Sequence, residues 1–140
     1  MNEGDAGFPQ DLQALAHAAQ STFWGFMGCR LEHLSQKKVT ISLKAEAHHL
    51  NMLGILHGGV HATLLDNAMG LAAMIARPNE RVVTTNLNIH YVAPGRKGKI
   101  LAHAEIVHMT RRIITVQGRV ESEEGNLLAF GTGSFRVTQS

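Results

Sequence analysis

The sequence predicts an α+β fold in which a curved antiparallel sheet of five or six strands wraps one long central helix. Three observations carry this expectation. The run Leu56 to Ala76 has helical periodicity, no proline before Pro78, and a second half that is apolar nearly all round, so it belongs at the centre of the domain. Two β-rich stretches precede it and four follow it. The last four are joined by short, turn-like links, which favour antiparallel neighbours, and no second long helix is present to cover a parallel sheet.

Met1 to Phe8 read as a loose start, and Pro9 to Gln20 as a short helix with Leu12, Leu15, Ala16 and Ala19 on one face. Phe23, Trp24, Phe26 and Met27 bring large apolar area to its end, as a cap on a core or one wall of a substrate cavity. Residues 1–24 form an N-terminal segment and residues 25–140 the sheet and long helix, the whole being one structural domain. Arg30 to Leu34 read as a short strand and Lys38 to Ala47 as a clearer one. In the latter, Val39, Ile41, Leu43 and Ala45 alternate with polar residues that should face water. His48 to Gly54 read as a loop.

On the long helix, Val60, Leu64, Ala68, Leu71 and Ile75 make an apolar stripe, and Ala62, Asp66, Gly70 and Ala73 lie on another face. Pro78 and Asn79 end it. Arg81 to Val92, Lys99 to Met109, Arg112 to Glu121 and Leu127 to Val137 read as strands, with turns at Pro94 to Gly98 and Glu123 to Asn126.

With 140 residues, 44% of them hydrophobic, the chain suits one domain. Its 13 basic and 11 acidic residues leave a net charge of +2, too small to indicate nucleic acid. The single cysteine, Cys29, excludes an internal disulfide and fits a reducing, cytoplasmic setting. The acidic start has no apolar core of a signal peptide. The best apolar run, Val60 to Ala76, is interrupted by His61, Asp66 and Asn67, which argues against a membrane span.

Chemistry concentrates on the long helix. Asp66 sits among apolar residues, where an unpaired carboxylate costs several kcal/mol, on the order of 3 or more. It is structural, bridges subunits, or faces a cleft as base or nucleophile. Gly58 and Gly59 open the helix, either as a simple glycine-rich entry turn or as a site where free N–H groups at the positive end of the dipole would polarise a carbonyl. Asp66 lies about 12 Å further along the axis, awkward for one carbonyl to reach both within a single subunit. The spacing therefore hints at an oxyanion donor from a second copy of the helix. His57 and His61 lack the glutamate of HExxH and a third ligand, so no metal is expected. His57 is expected to order the entry turn or touch substrate, and His61 to be a satisfied structural histidine. His48 and His49 have no assigned task.

The run Asn51 to Ala73, NMLGILHGGVHATLLDNAMGLAA, resembles the signature of hotdog-fold acyl-CoA thioesterases of the phenylacetic-acid-pathway type and their relatives. TTNLNIHYVAP at Thr84 to Pro94 and FGTGSF at Phe130 to Phe135 extend the resemblance. It implies a sheet round one helix, sheets joined edge to edge in a homodimer, dimers paired into a tetramer, and acyl-CoA sites at the subunit interface. No cofactor is implied. Gly58 matches the oxyanion donor and Asp66 the acidic residue that acts on the thioester. Asn51 and His57 match polar positions that orient thioester or water, and Thr84 a Ser/Thr position near the carboxylate. Arg96, Lys97 and Lys99 near one turn, and Arg111 with Arg112 near another, are candidates for the CoA phosphates. Tyr91 is expected in the core or at the edge of the site. Phe23, Trp24, Phe26, Met52, Leu53, Leu56 and Met69 are candidates for an apolar acyl pocket. An acyl-CoA-binding protein without turnover is the alternative.

Overall fold

The computed structural model describes residues 10–138, so the expectations for Met1 to Phe8 and Pro9 lie outside the described residues. Helices α1 (Gln10–Ala19) and α2 (Phe23–Met27) precede strands β1 (Arg30–Leu34) and β2 (Lys38–Ala45). The central helix α3 (Gly58–Ala76) follows, then β3 (Arg81–Tyr91), β4 (Gly98–Met109), β5 (Ile113–Ser122) and β6 (Leu127–Thr138). The strands make one antiparallel sheet in the order β1-β2-β4-β5-β6-β3, wrapped about α3. This is the expected α+β hotdog arrangement.

Helix α3 buries Leu64, Leu65, Ala68 and Met69 completely against Ile41, Val116, Val120 and Phe135 from the sheet. Each large side chain so placed contributes about 1.5–3 kcal/mol. Close approach is built into the strands. A Cβ at Gly118 would meet Leu65 Cδ2 at 3.0 Å, and one at Gly133 would meet Met69 Cε at 3.1 Å. The buried stripe runs through residues 60/61, 64/65, 68/69 and 72/73. Leu71 and Ile75, expected on it, are only half-buried, because they turn away from the sheet.

Three local differences from the sequence reading have physical causes. Strand β2 stops at Ala45, and Ala47–His49 form a 3-10 turn stapled by His49. Its Nδ1 accepts from Glu46 N at 3.0 Å and its Nε2 bonds Met27 O at 2.8 Å. The polar face of β2 is not simply wet: Thr40 and Ser42 are buried, bonding His103 and Glu32. Helix α3 starts at Gly58 rather than Leu56, because the Leu56 and His57 N–H groups donate to Gly95 O and His49 O, both at 2.9 Å.

Strand β3 carries an irregularity between Thr84 and Asn86. Val82 and Thr84 lie opposite Val137 and Phe135, while Leu87 and Ile89 lie opposite Gly133 and Gly131. The extra residue, Thr85, shifts the alternation, so Thr84 and Leu87 share the face toward α3. Strand β3 is also a sheet edge, paired only with β6. Among the described residues, no helix is long and apolar enough to cross a membrane.

Candidate active site

Asp66 lies two turns into α3, half-buried, on the side facing β3 and α1. The bulge aims Thr84 at it, and the Thr84 hydroxyl donates to Asp66 Oδ1 at 2.8 Å. Among the described residues Asp66 Oδ2 has no hydrogen-bond partner. Beside the carboxylate is a cavity of about 420 Å³, lined also by Asn67, Gly70, Trp24 and Ala19. Two of the neighbouring polar groups are already engaged as donors. Thr22 donates to Ala19 O at 2.6 Å, and the Asn67 amide to Cys29 Sγ at 3.5 Å. Burial raises the Cys29 thiol pKa, partly offset by that Asn67 bond. The arrangement leaves one carboxylate oxygen free to take a proton or attack an electrophile.

The helix start forms a second cluster. His57 caps α3, its Nδ1 accepting from Gly59 N–H at 2.8 Å. A neutral ring then carries its proton on Nε2, as a donor on an exposed side chain. The Gly58 N–H has no partner among the described residues and sits at the positive end of the helix dipole. Gly58 O accepts from the Tyr91 hydroxyl at 2.9 Å, and the Tyr91 ring meets His61 edge-on with centroids 5.5 Å apart. Asn51 Oδ1 accepts from Leu53 N at 2.9 Å and Ile55 N at 3.3 Å, shaping the loop that leads into the helix.

The structure thus brings Asp66 and Thr84 together, and His57 and Gly58 together at the helix start, with Asn51 in the loop that leads into it. The eight-residue separation of Gly58 and Asp66 keeps the clusters about 12 Å apart along the axis of one chain. The basic residues divide. Arg96 and Lys97 follow Gly95, which bonds Leu56 just before α3. Lys99 Nζ lies 3.7 Å from Glu32 Oε2. Arg111 and Arg112 occupy the β4–β5 turn, about 37 Å away along the twelve-residue β4.

Several expectations need correction. Of the seven candidate pocket residues, Trp24 lines the cavity beside Asp66. On the single chain Phe23, Phe26, Met52 and Leu53 are exposed, whereas Leu56 and Met69 pack in the core. His61 is buried but not satisfied: its Nδ1 has no partner among the described residues, and burial pushes its pKa down. Tyr91 is 55% exposed rather than core, because it lies near the sheet edge with its hydroxyl on the helix start. Its role was readable, since Leu87, Ile89 and Tyr91 alternate onto one face.

The sequence profile of the thioesterase superfamily matches residues 53–129. The chain is 31% identical over 105 residues to acyl-coenzyme A thioesterase 13 of Mus musculus, covering 64% of this chain and 75% of that protein. It is 24% identical over 117 residues to 1,4-dihydroxy-2-naphthoyl-CoA hydrolase of Escherichia coli strain K12, covering 83% and 86% respectively. A solved mutant structure of phenylacetic acid degradation protein PaaI from Thermus thermophilus superposes with a TM-score of 0.76 at 30% identity. That match covers 81% of this chain and 96% of the other.

Proposed function

The chain belongs to the thioesterase superfamily, and we propose that it hydrolyses acyl-CoA to a free carboxylic acid and CoA at a site shared by two copies. The observation that carries this reading is Asp66: a carboxylate on an otherwise apolar helix, held by one Thr84 bond, with its second oxygen free beside a cavity. Asp66 of one copy acts on the thioester, whose carbonyl oxygen meets the Gly58 N–H of the other. In the general-base route, Oδ2 takes a proton from water as the water oxygen bonds the thioester carbon. The resulting oxyanion is held by the Gly58 N–H, and the C–S bond breaks to release the CoA thiolate. Direct attack by Oδ2, giving an anhydride that water then opens, uses the same atoms. The His57 Nε2–H and the Asn51 amide supply further donors near the carbonyl.

The dimer reading is supported by β3. It is an eleven-residue edge strand with one side unpaired among the described residues, a template for the same strand of a second copy. Dimers then pair through the outer sheet face, where Phe130, stacked on His90 at 5.0 Å, remains 42% exposed. Arg96 and Lys97, near the helix start, are the better placed phosphate ligands; Lys99, Arg111 and Arg112 are secondary. A reducing cytoplasmic setting fits the free, buried Cys29. Thiol release from a panel of acyl-CoAs tests the reading. Turnover of at least one substrate is expected, and tight binding without thiol release would favour the acyl-CoA-binding alternative.

A further inference from the structure

Resting on that reading, we propose that the cavity between α1 and α3 is the acyl subsite, that Gly70 and the α1 wall set its depth, and that it takes an apolar acyl group of about eight to ten carbons without a terminal hydroxyl.

Asp66, Gly70 and Met74 recur every four residues, so they form one stripe along α3, and all three line the cavity. Leu15, Ala16 and Ala19 of α1 supply the opposite wall. The stripe runs about 12 Å from the carboxylate to Met74. A chain of about eight to ten carbons, advancing a little less than one 1.5 Å bond per carbon, spans that distance.

Gly70 is the informative residue. Glycine inside a helix is destabilising relative to alanine, so packing ought to demand it. It does not: a Cβ there would meet only Phe135 Cε2, at an ordinary 3.7 Å. The missing side chain instead widens the cavity one turn beyond Asp66. The small Ala16 and Ala19 do the same from α1. That wall lies outside residues 53–129, the part of the chain matched by the superfamily profile, so the acyl subsite is shaped by a segment the shared signature does not contain.

The lining also selects by polarity. The Thr22 and Thr84 hydroxyl protons and an Asn67 amide proton are committed to Ala19 O, Asp66 and Cys29. Beyond Asp66, Asn67, Thr22, Thr84 and Trp24 the lining is aliphatic, and it is wholly so at the Met74 end, with Leu15 and Leu71. An ω-hydroxyl carried to the far end of the stripe, among Leu15, Leu71 and Met74, would lose its water without finding a replacement, giving discrimination of about 10²-fold.

The test is kcat/KM over straight-chain acyl-CoAs from two to sixteen carbons, with ω-hydroxy counterparts, and binding of the matching non-hydrolysable S-alkyl-CoA thioethers. Wild-type values should rise about fourfold per methylene and level off near eight to ten carbons. Gly70→Leu should move that plateau to shorter chains and cut the decanoyl-to-butanoyl ratio at least tenfold. Met74→Ala should move it to longer ones, and Ala19→Leu, on the opposite wall, should shorten it if Gly70→Leu fails to fold. Thiol release with an identical length profile in wild type and folded variants would overturn the subsite while leaving hydrolysis intact. Length-dependent thioether binding that Gly70→Leu abolishes, without thiol release at any length, would support the subsite and overturn hydrolysis.

Discussion

Asp66 on α3 and Glu121 on β5 are both carboxylates bonded to neighbouring polar side chains, and they differ in how completely they are used. Glu121 Oε1 bonds His103 Nε2 at 3.1 Å, and its Oε2 accepts from Arg119 Nε at 2.6 Å. His103 Nδ1 is in turn bonded to Thr40 Oγ1 at 2.9 Å. Burial opposes the Glu121 charge, but the Arg119 bond and charge and the His103 contact outweigh it and hold the carboxyl below its usual range. Written as a string, threonine–histidine–glutamate resembles a hydrolytic triad. Its members are nonetheless spent on one another, tying β2, β4 and β5 together. Among the described residues Asp66 has one donor and a free oxygen beside a cavity. Completeness of hydrogen bonding, rather than residue type, separates the girder from the site.

Removing each carboxylate should therefore do opposite things. Asp66→Asn keeps an acceptor for Thr84 but loses the base, so kcat should fall about 10²–10⁴-fold while the urea unfolding midpoint barely moves. Near wild-type turnover in this variant would erase the contrast. Glu121→Ala should cost about 1–3 kcal/mol of stability by leaving the largely buried His103 without its partner, with kcat/KM changed less than a few fold. A large activity loss in a stable Glu121→Ala protein would mean the outer network also does chemistry.

The smallest effect concerns the histidines. Burial lowers the pKa of His61, and lowers that of His103 against the opposing Glu121 charge. Each folded pKa lies below the unfolded value near 6.5. As pH falls past 6.5 the unfolded chain binds protons that the folded chain does not, so stability should drop, by at most about 1.4 kcal/mol per pH unit per proton. His61→Phe should flatten the fall measured by urea titration between pH 7 and 5. An unchanged slope would show that His61 contributes nothing to it.

Parts of this were legible in the sequence and parts were not, for identifiable reasons. Asp66 stands out because a charge inside an apolar periodic run demands explanation, and Gly58 because helix starts expose donors. Thr84 was not derivable from pattern. Strict alternation from Leu87 and Ile89 would point Thr85, not Thr84, at the helix, and only the bulge reverses this. The cavity was equally hidden, since it depends on where α1 crosses α3, a non-local contact with no sequence period. Large apolar side chains around Trp24 and in the loop before the long helix point to Phe26, Met52 and Leu53, whereas the cavity owes its room to Ala16, Ala18, Ala19 and Gly70.

The central claim, that one catalytic unit needs Asp66 from one copy and the Gly58 N–H from another, is tested most directly by mixing two inactive variants. Asp66→Asn lacks the base. Gly58→Pro deletes the N–H at the first helical position, where proline suits a helix and the extended His57 backbone before it tolerates one. After co-refolding equal amounts, half the dimers are mixed and each mixed dimer holds one intact site. The account predicts recovery to about one quarter of wild-type activity; a mixture as inactive as its two parents, with mixed dimers demonstrably formed, would contradict it.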